Sequence, residues 1–86
     1  MKSFQYVIKD ELGLHARPAG LLAKEARNFG SEITITKDDK TVACTKLMAM
    51  MGMCVKKGDT VTIAVNGEDE DAAFAAIKNF FETNLR

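Results

Sequence analysis

Phe4, Tyr6 and Ile8 occupy every second position, with the polar Gln5 and Lys9 beside them, and the run stops at Asp10-Glu11 and Gly13. That period of two predicts a half-buried strand over 2–8. From Ala16 the period lengthens: Ala19, Leu22, Ala23 and Ala26 form one stripe, Lys24 and Arg27 favour the last turn, and Gly30 suits a left-handed cap. A helix over 16–28 follows. Glu32 to Thr36 alternates again through Ile33 and Ile35, Lys37-Asp38-Asp39-Lys40 supplies turn chemistry, and Thr41 to Cys44 returns as a strand, which together read as a hairpin.

Residues 46–53 hold four methionines and predict one short helix, broken by Lys56-Lys57-Gly58-Asp59. Val61, Ile63 and Val65 then alternate as a strand that Gly67 ends. The acidic residues 68–71 suit the positive end of a helix, and Ala73, Phe74, Ala76, Ile77, Phe80 and Phe81 continue at three- and four-residue steps, so the last helix covers 69–84. The order is βαββαβα, without repeats or a dividing linker. Its simplest two-layer solution is an α+β fold, a sheet covered on one face by helices, as a single domain over 1–86.

A chain of 9.4 kDa should fold to roughly 5,000 Å² of surface around one modest core. No apolar run approaches the ~18–20 residues that span a bilayer, and a signal peptide's apolar stretch is missing, so a cytoplasmic protein without membrane insertion is expected. Cys44 and Cys54 form no CxxC pair and the chain has one histidine, which predicts reduced structural thiols and no metal site. Twelve basic and twelve acidic residues cancel, with the basic ones ungathered, which argues against nucleic acid as a partner. The balance is uneven along the chain: residues 1–30 hold five basic and three acidic groups, residues 66–86 two and five. A functional end marked by charge therefore lies in the N-terminal half.

Chemistry concentrates in Gly13-Leu14-His15-Ala16-Arg17-Pro18-Ala19, between the first strand and the first helix. Pro18 is tolerated in a first helical turn, where its missing N–H has no intrahelical partner, and this puts His15 near the N-cap. Asp, Asn, Ser or Thr would cap better, by up to about 1 kcal/mol. A helix N-terminus with free N–H groups, here at Ala16 and Arg17, holds phosphate, and imidazole suits phosphoryl relay because its neutral ring nitrogen is a nucleophile near neutral pH. Arg17 offers a planar guanidinium, whose attraction to a phosphate at about 4 Å is worth roughly 1 kcal/mol in water and 4 at a partly screened surface. On chemistry alone, a loop histidine beside a solvated arginine stays open.

The G-L-H-A-R-P-A segment resembles the active-site motif of the HPr family, small phosphocarriers of the bacterial sugar phosphotransferase system. The likeness continues through Lys40-Thr41-Val42, the Met-rich 47–53 segment, Lys57-Gly58, and Gly67 with its acidic residues and alanine-rich helix, covering about residues 2–85. It implies an open-faced β-sandwich, a four-stranded antiparallel sheet carrying three helices. It also implies that His15 is phosphorylated, on the pros nitrogen, by enzyme I at the expense of phosphoenolpyruvate, with Arg17 beside the phosphate and sugar-specific IIA domains as acceptors. Neither a cofactor nor catalytic turnover of its own is implied, and a monomer is expected. Leu47, Met48 and Met51, with Gly20, match an apolar docking patch, for which methionine's flexible thioether is apt. Met50 and Met53 are expected to fill the core instead.

Two positions depart from the family pattern. Lys46 stands where many members carry a serine that a dedicated kinase phosphorylates, and Cys54 stands where glycine is usual, with Gly52 two residues earlier. A regulatory relative that binds a transcription factor or metabolic enzyme is the competing reading, and a small ligand-binding domain a third; regulatory relatives tend to lose the histidine and keep the serine, and this chain does the reverse.

Overall fold

The computed structural model describes residues 1–84; Leu85 and Arg86 of the expected domain lie outside the described residues. The elements run β1 (Lys2–Val7), α1 (Ala16–Ala26), β2 (Glu32–Lys37), β3 (Lys40–Ala43), α2 (Leu47–Gly52), β4 (Thr60–Asn66) and α3 (Glu70–Asn84). The four strands form one antiparallel sheet in the order β1-β4-β2-β3. The surface is 5016 Å², in line with the chain's mass.

Register explains the two faces. Phe4 pairs with Ile63, Ile63 with Ile35 and Ile35 with Val42, so one apolar rung crosses all four strands. The next rung, Gln5, Thr62, Thr36 and Thr41, is polar and ends in a Thr36–Thr41 hydroxyl hydrogen bond of 2.8 Å. Period-two patterning therefore leaves one face bare, and the other meets the helices. Ala19, Leu22, Ala23 and Ala26 of α1 are buried, as are Met50 of α2 and Ala73, Ile77, Phe80 and Phe81 of α3. Phe4 and Tyr6 meet Phe81 edge-to-face, with ring centroids 5.9 and 5.4 Å away, a contact worth about 1 kcal/mol beyond area burial. Among the described residues no helix is long and apolar enough to cross a membrane.

The expected left-handed cap at Gly30 is not formed. The helix stops at Ala26, Arg27 caps it in right-handed geometry, and Asn28 and Phe29 N–H groups donate back to Glu25 and Ala26 carbonyls. The Gly30 and Ser31 N–H groups instead donate to the Asp69 carboxylate, each at 2.8 Å, and the Ser31 hydroxyl donates to it too. A side chain from the start of α3 supplies what the local backbone was expected to supply. Left-handed backbone occurs at Cys54 (φ +55), just past the C-cap of α2, where a glycine would rest without cost. The departure at 54 therefore keeps the turn and places a β-carbon in it. Cys54 is exposed; Cys44 is buried, and burial pushes its thiol up to about 12.

Candidate functional site

The loop between β1 and α1 is held against the segment after α2. The Leu14 N–H donates to the Val55 carbonyl at 3.0 Å, the Gly13 N–H to Asp10 at 2.9 Å, and the Leu12 N–H to the Asp10 side chain at 2.9 Å. Gly13 has φ +66, and a β-carbon there would stand 2.3 Å from the Val55 carbonyl oxygen. Only glycine lets these two backbones approach so closely. Leu14 is buried, which leaves the next residue, His15, at the surface end of the loop.

His15 is the N-cap of α1, in extended geometry, and its carbonyl accepts the first intrahelical bond from Ala19 at 3.0 Å. Its side chain caps nothing. The ring is thus free for chemistry, at the cost of a cap worth about 1 kcal/mol. Ala16 and Arg17 supply the first two N–H groups of the helix, Pro18 has none, and no acidic residue occupies the first turn. An anion at this end meets donors and the positive pole of the helix dipole with no competing carboxylate from that turn. Arg17 is exposed and makes no salt bridge among the described residues.

His15, Arg17 and Pro18 line an open cleft of about 250 Å³ together with Asp10, Leu21 and Thr83. These last three were not anticipated as site residues. Leu21 carried a signal, since it is apolar yet off the buried stripe of α1, and it is 44% exposed. Thr83 arrives from the far end of the chain and had none.

The residues expected to dock partners lie on α1 and α2, which pack together. Met48 is 78% and Met51 37% exposed, and Leu47 is half-buried against the core. Met50 and Met53 are buried, as expected for core residues. Gly20 sits at a bare point of α1, with nothing within 4 Å of where a β-carbon would be. Lys46 is the N-cap of α2 and its side chain makes no capping bond.

The family model for the PTS HPr component phosphorylation site matches residues 2–83. The phosphocarrier protein HPr of Mycoplasma capricolum is 46% identical over 78 residues, covering 91% of this chain and 88% of that one. A solved histidine-containing phosphocarrier protein from Mycoplasma superposes with a TM-score of 0.93 at 44% identity, covering 98% and 97% of the two chains. An HPr from Thermoanaerobacter tengcongensis, solved as a dimer, superposes with a TM-score of 0.78 at 36% identity, covering 100% and 99%.

Proposed function

Because this chain belongs to the HPr family and is a phosphocarrier, we propose that His15 accepts a phosphoryl group from enzyme I, charged by phosphoenolpyruvate, and passes it to sugar-specific IIA domains in the cytoplasm. One observation carries this reading. The single histidine of the chain is an uncapping N-cap on an open cleft, beside two helix N–H groups and an arginine that are free of partners among the described residues.

In each transfer a ring nitrogen lone pair, on the family likeness that of the pros nitrogen, forms the N–P bond as the donor's bond to phosphorus breaks. Delivery reverses the step, and His15 returns unchanged. The N–H groups of Ala16 and Arg17, with the Arg17 guanidinium, hold the phosphoryl oxygens. Holding them in an open cleft matters because a carrier must also release its cargo; a buried arginine pair would stabilise the phosphorylated form too well.

Leu47, Met48 and Met51, with the bare Gly20, supply an apolar surface beside the histidine on which successive partners dock. A monomer fits this cycle, since the same face must be open to donor and acceptor in turn. Lys46 offers no hydroxyl to a serine kinase. Incubation with labelled phosphoenolpyruvate and enzyme I tests the reading: an acid-labile, base-stable phosphate at His15 is expected, and absence of label under conditions that charge another HPr would overturn it.

A further inference from the structure

Asp10 follows β1 in a turn that fixes where its carboxylate stands. Its backbone carbonyl accepts the Gly13 N–H and its side chain accepts the Leu12 N–H, both at 2.9 Å. Aspartate suits such a turn because its short side chain reaches a backbone donor two residues on. The far end of the turn is pinned, since Gly13 and Leu14 lie against Val55. Asp10 is half-buried and lines the His15 cleft from this loop, while Arg17 lines it from the first turn of α1.

The cleft therefore has two walls of opposite charge that stay apart. Among the described residues no ion pair joins Asp10 to Arg17, to His15 or to any other cation. The remaining lining residues, Pro18, Leu21 and Thr83, carry no charge. The neighbouring acid behaves differently: Glu11 is exposed and paired with Lys57 at 2.7 Å. Asp59, Glu70 and Asp71 are likewise matched, by Lys37, the amino terminus and Lys2. Asp10 is left as an anionic wall beside the ring that is to carry an anion, with one carboxylate oxygen already committed to the Leu12 N–H.

We propose that Asp10 is a further positioning residue of phosphoryl transfer, acting through His15: its negative charge opposes the phosphoryl group across the cleft and keeps the loaded histidine ready to give that group up. Arg17 and the N–H groups of Ala16 and Arg17 attract the phosphoryl oxygens, and Asp10 repels them, so the opposed walls set how tightly the cargo is held. The repulsion acts on the loaded form, which carries added negative charge, and not on the free neutral imidazole, so it shifts the balance between the two. On delivery the acceptor's lone pair forms the new bond to phosphorus as the N–P bond breaks. The electron pair of that bond returns to the ring nitrogen, and the repulsion is relieved as the phosphoryl group leaves. The inference rests on the carrier reading above.

The experiment brings wild-type protein, Asp10→Asn, Asp10→Ser and Asp10→Glu to equilibrium with enzyme I, phosphoenolpyruvate and excess pyruvate, at low and high salt, and measures the phosphorylated share of each. The rate at which each loaded protein hands its label to a IIA domain is followed in parallel, with thermal melts. Asparagine and serine keep an acceptor for the Leu12 N–H and lose only the charge. At low salt both neutral variants should raise the equilibrium constant for loading about threefold and slow delivery, with Asp10→Glu close to wild type. The difference should shrink at high salt, where screening weakens the repulsion. A merely structural role would move the readout the other way, since a loosened loop lowers both loading and the melting temperature. Unchanged or reduced loading in the two neutral variants, or a gain that persists undiminished at high salt, would overturn this inference while wild-type labelling left the carrier reading standing. Failure of the wild type and of every variant to take label would overturn both.

Discussion

Replacing Gly13 with alanine should damage both the fold and the delivery of phosphate, for reasons that can be sized. The new β-carbon would lie 2.3 Å from the Val55 carbonyl oxygen and 2.8 Å from the Lys56 Cα, both backbone atoms that cannot rotate aside. Relief requires the two segments to part by about 1 Å, since ordinary contacts begin near 3.4 Å. That opening stretches the Leu14–Val55 hydrogen bond, now 3.0 Å, at about 1 kcal/mol. It also loosens the buried Leu14 and Val55, at about another 1 kcal/mol. Holding alanine at φ +66 adds about 1–2 kcal/mol, and the stiffer unfolded chain returns about 0.5–1. The net loss is about 3 kcal/mol, a large share of the roughly 5–10 expected for a domain of this size. Gly20→Ala is the internal control: it sits in a helix with open space around the added carbon, and should gain about 0.5–1 kcal/mol. Urea denaturation of the two variants beside wild type reads both effects. A loss below about 1 kcal/mol in Gly13→Ala, or the same sign of change in both proteins, would refute the close-approach argument.

Arg17→Lys should transfer phosphate more slowly than wild type and Arg17→Glu far more slowly, with near-normal melting temperatures in both, because the guanidinium is exposed and makes no salt bridge among the described residues; rapid-quench transfer rates decide it. Met48→Glu should raise the dissociation constant for enzyme I by about tenfold with little change in stability, since Met48 is 78% exposed; calorimetric titration and a melt read the two separately. The acid limb of stability should be steep. Asp69 is held low by the Ser31 hydroxyl and Gly30 N–H, Asp59 by the Lys56 N–H and Lys37, and Glu70 by the Gly67 N–H and the terminal amine. Each binds a proton less readily folded than unfolded, so its contribution is full above ordinary carboxylate values of about 4 and lost as pH falls through the depressed native values. Urea melts from pH 6 down to pH 2 should show that loss, and Asp69→Asn should flatten it.

Most of the fold was legible because one core imposes its period on every element. The strand alternations at Phe4, Ile33 and Ile63 and the stripe at Ala19, Leu22, Ala23 and Ala26 all appear as burial, with ends displaced by one or two residues. The cap at Gly30 was misjudged because its donor is satisfied by Asp69, 39 positions away. Local sequence cannot reveal such a partner. The left-handed turn at Cys54 was hidden for a related reason, since the backbone there is set by the end of α2 and the Lys37 ammonium on its carbonyl, not by the residue. In the site, His15 and Arg17 stood out through helix-end chemistry. The outer walls of the cleft, Asp10 and Thr83, come together only when α3 closes against α1.

The central claim is that His15 is the sole phosphoryl acceptor, and intact mass with peptide mapping after incubation with phosphoenolpyruvate and enzyme I tests it most directly. The account predicts one phosphoryl group per chain, mapped to His15, lost in acid and kept in base, and wholly absent from a His15→Ala protein that still melts near the wild-type temperature. Label that survives in His15→Ala, or an acid-stable phosphate on another residue, would contradict it.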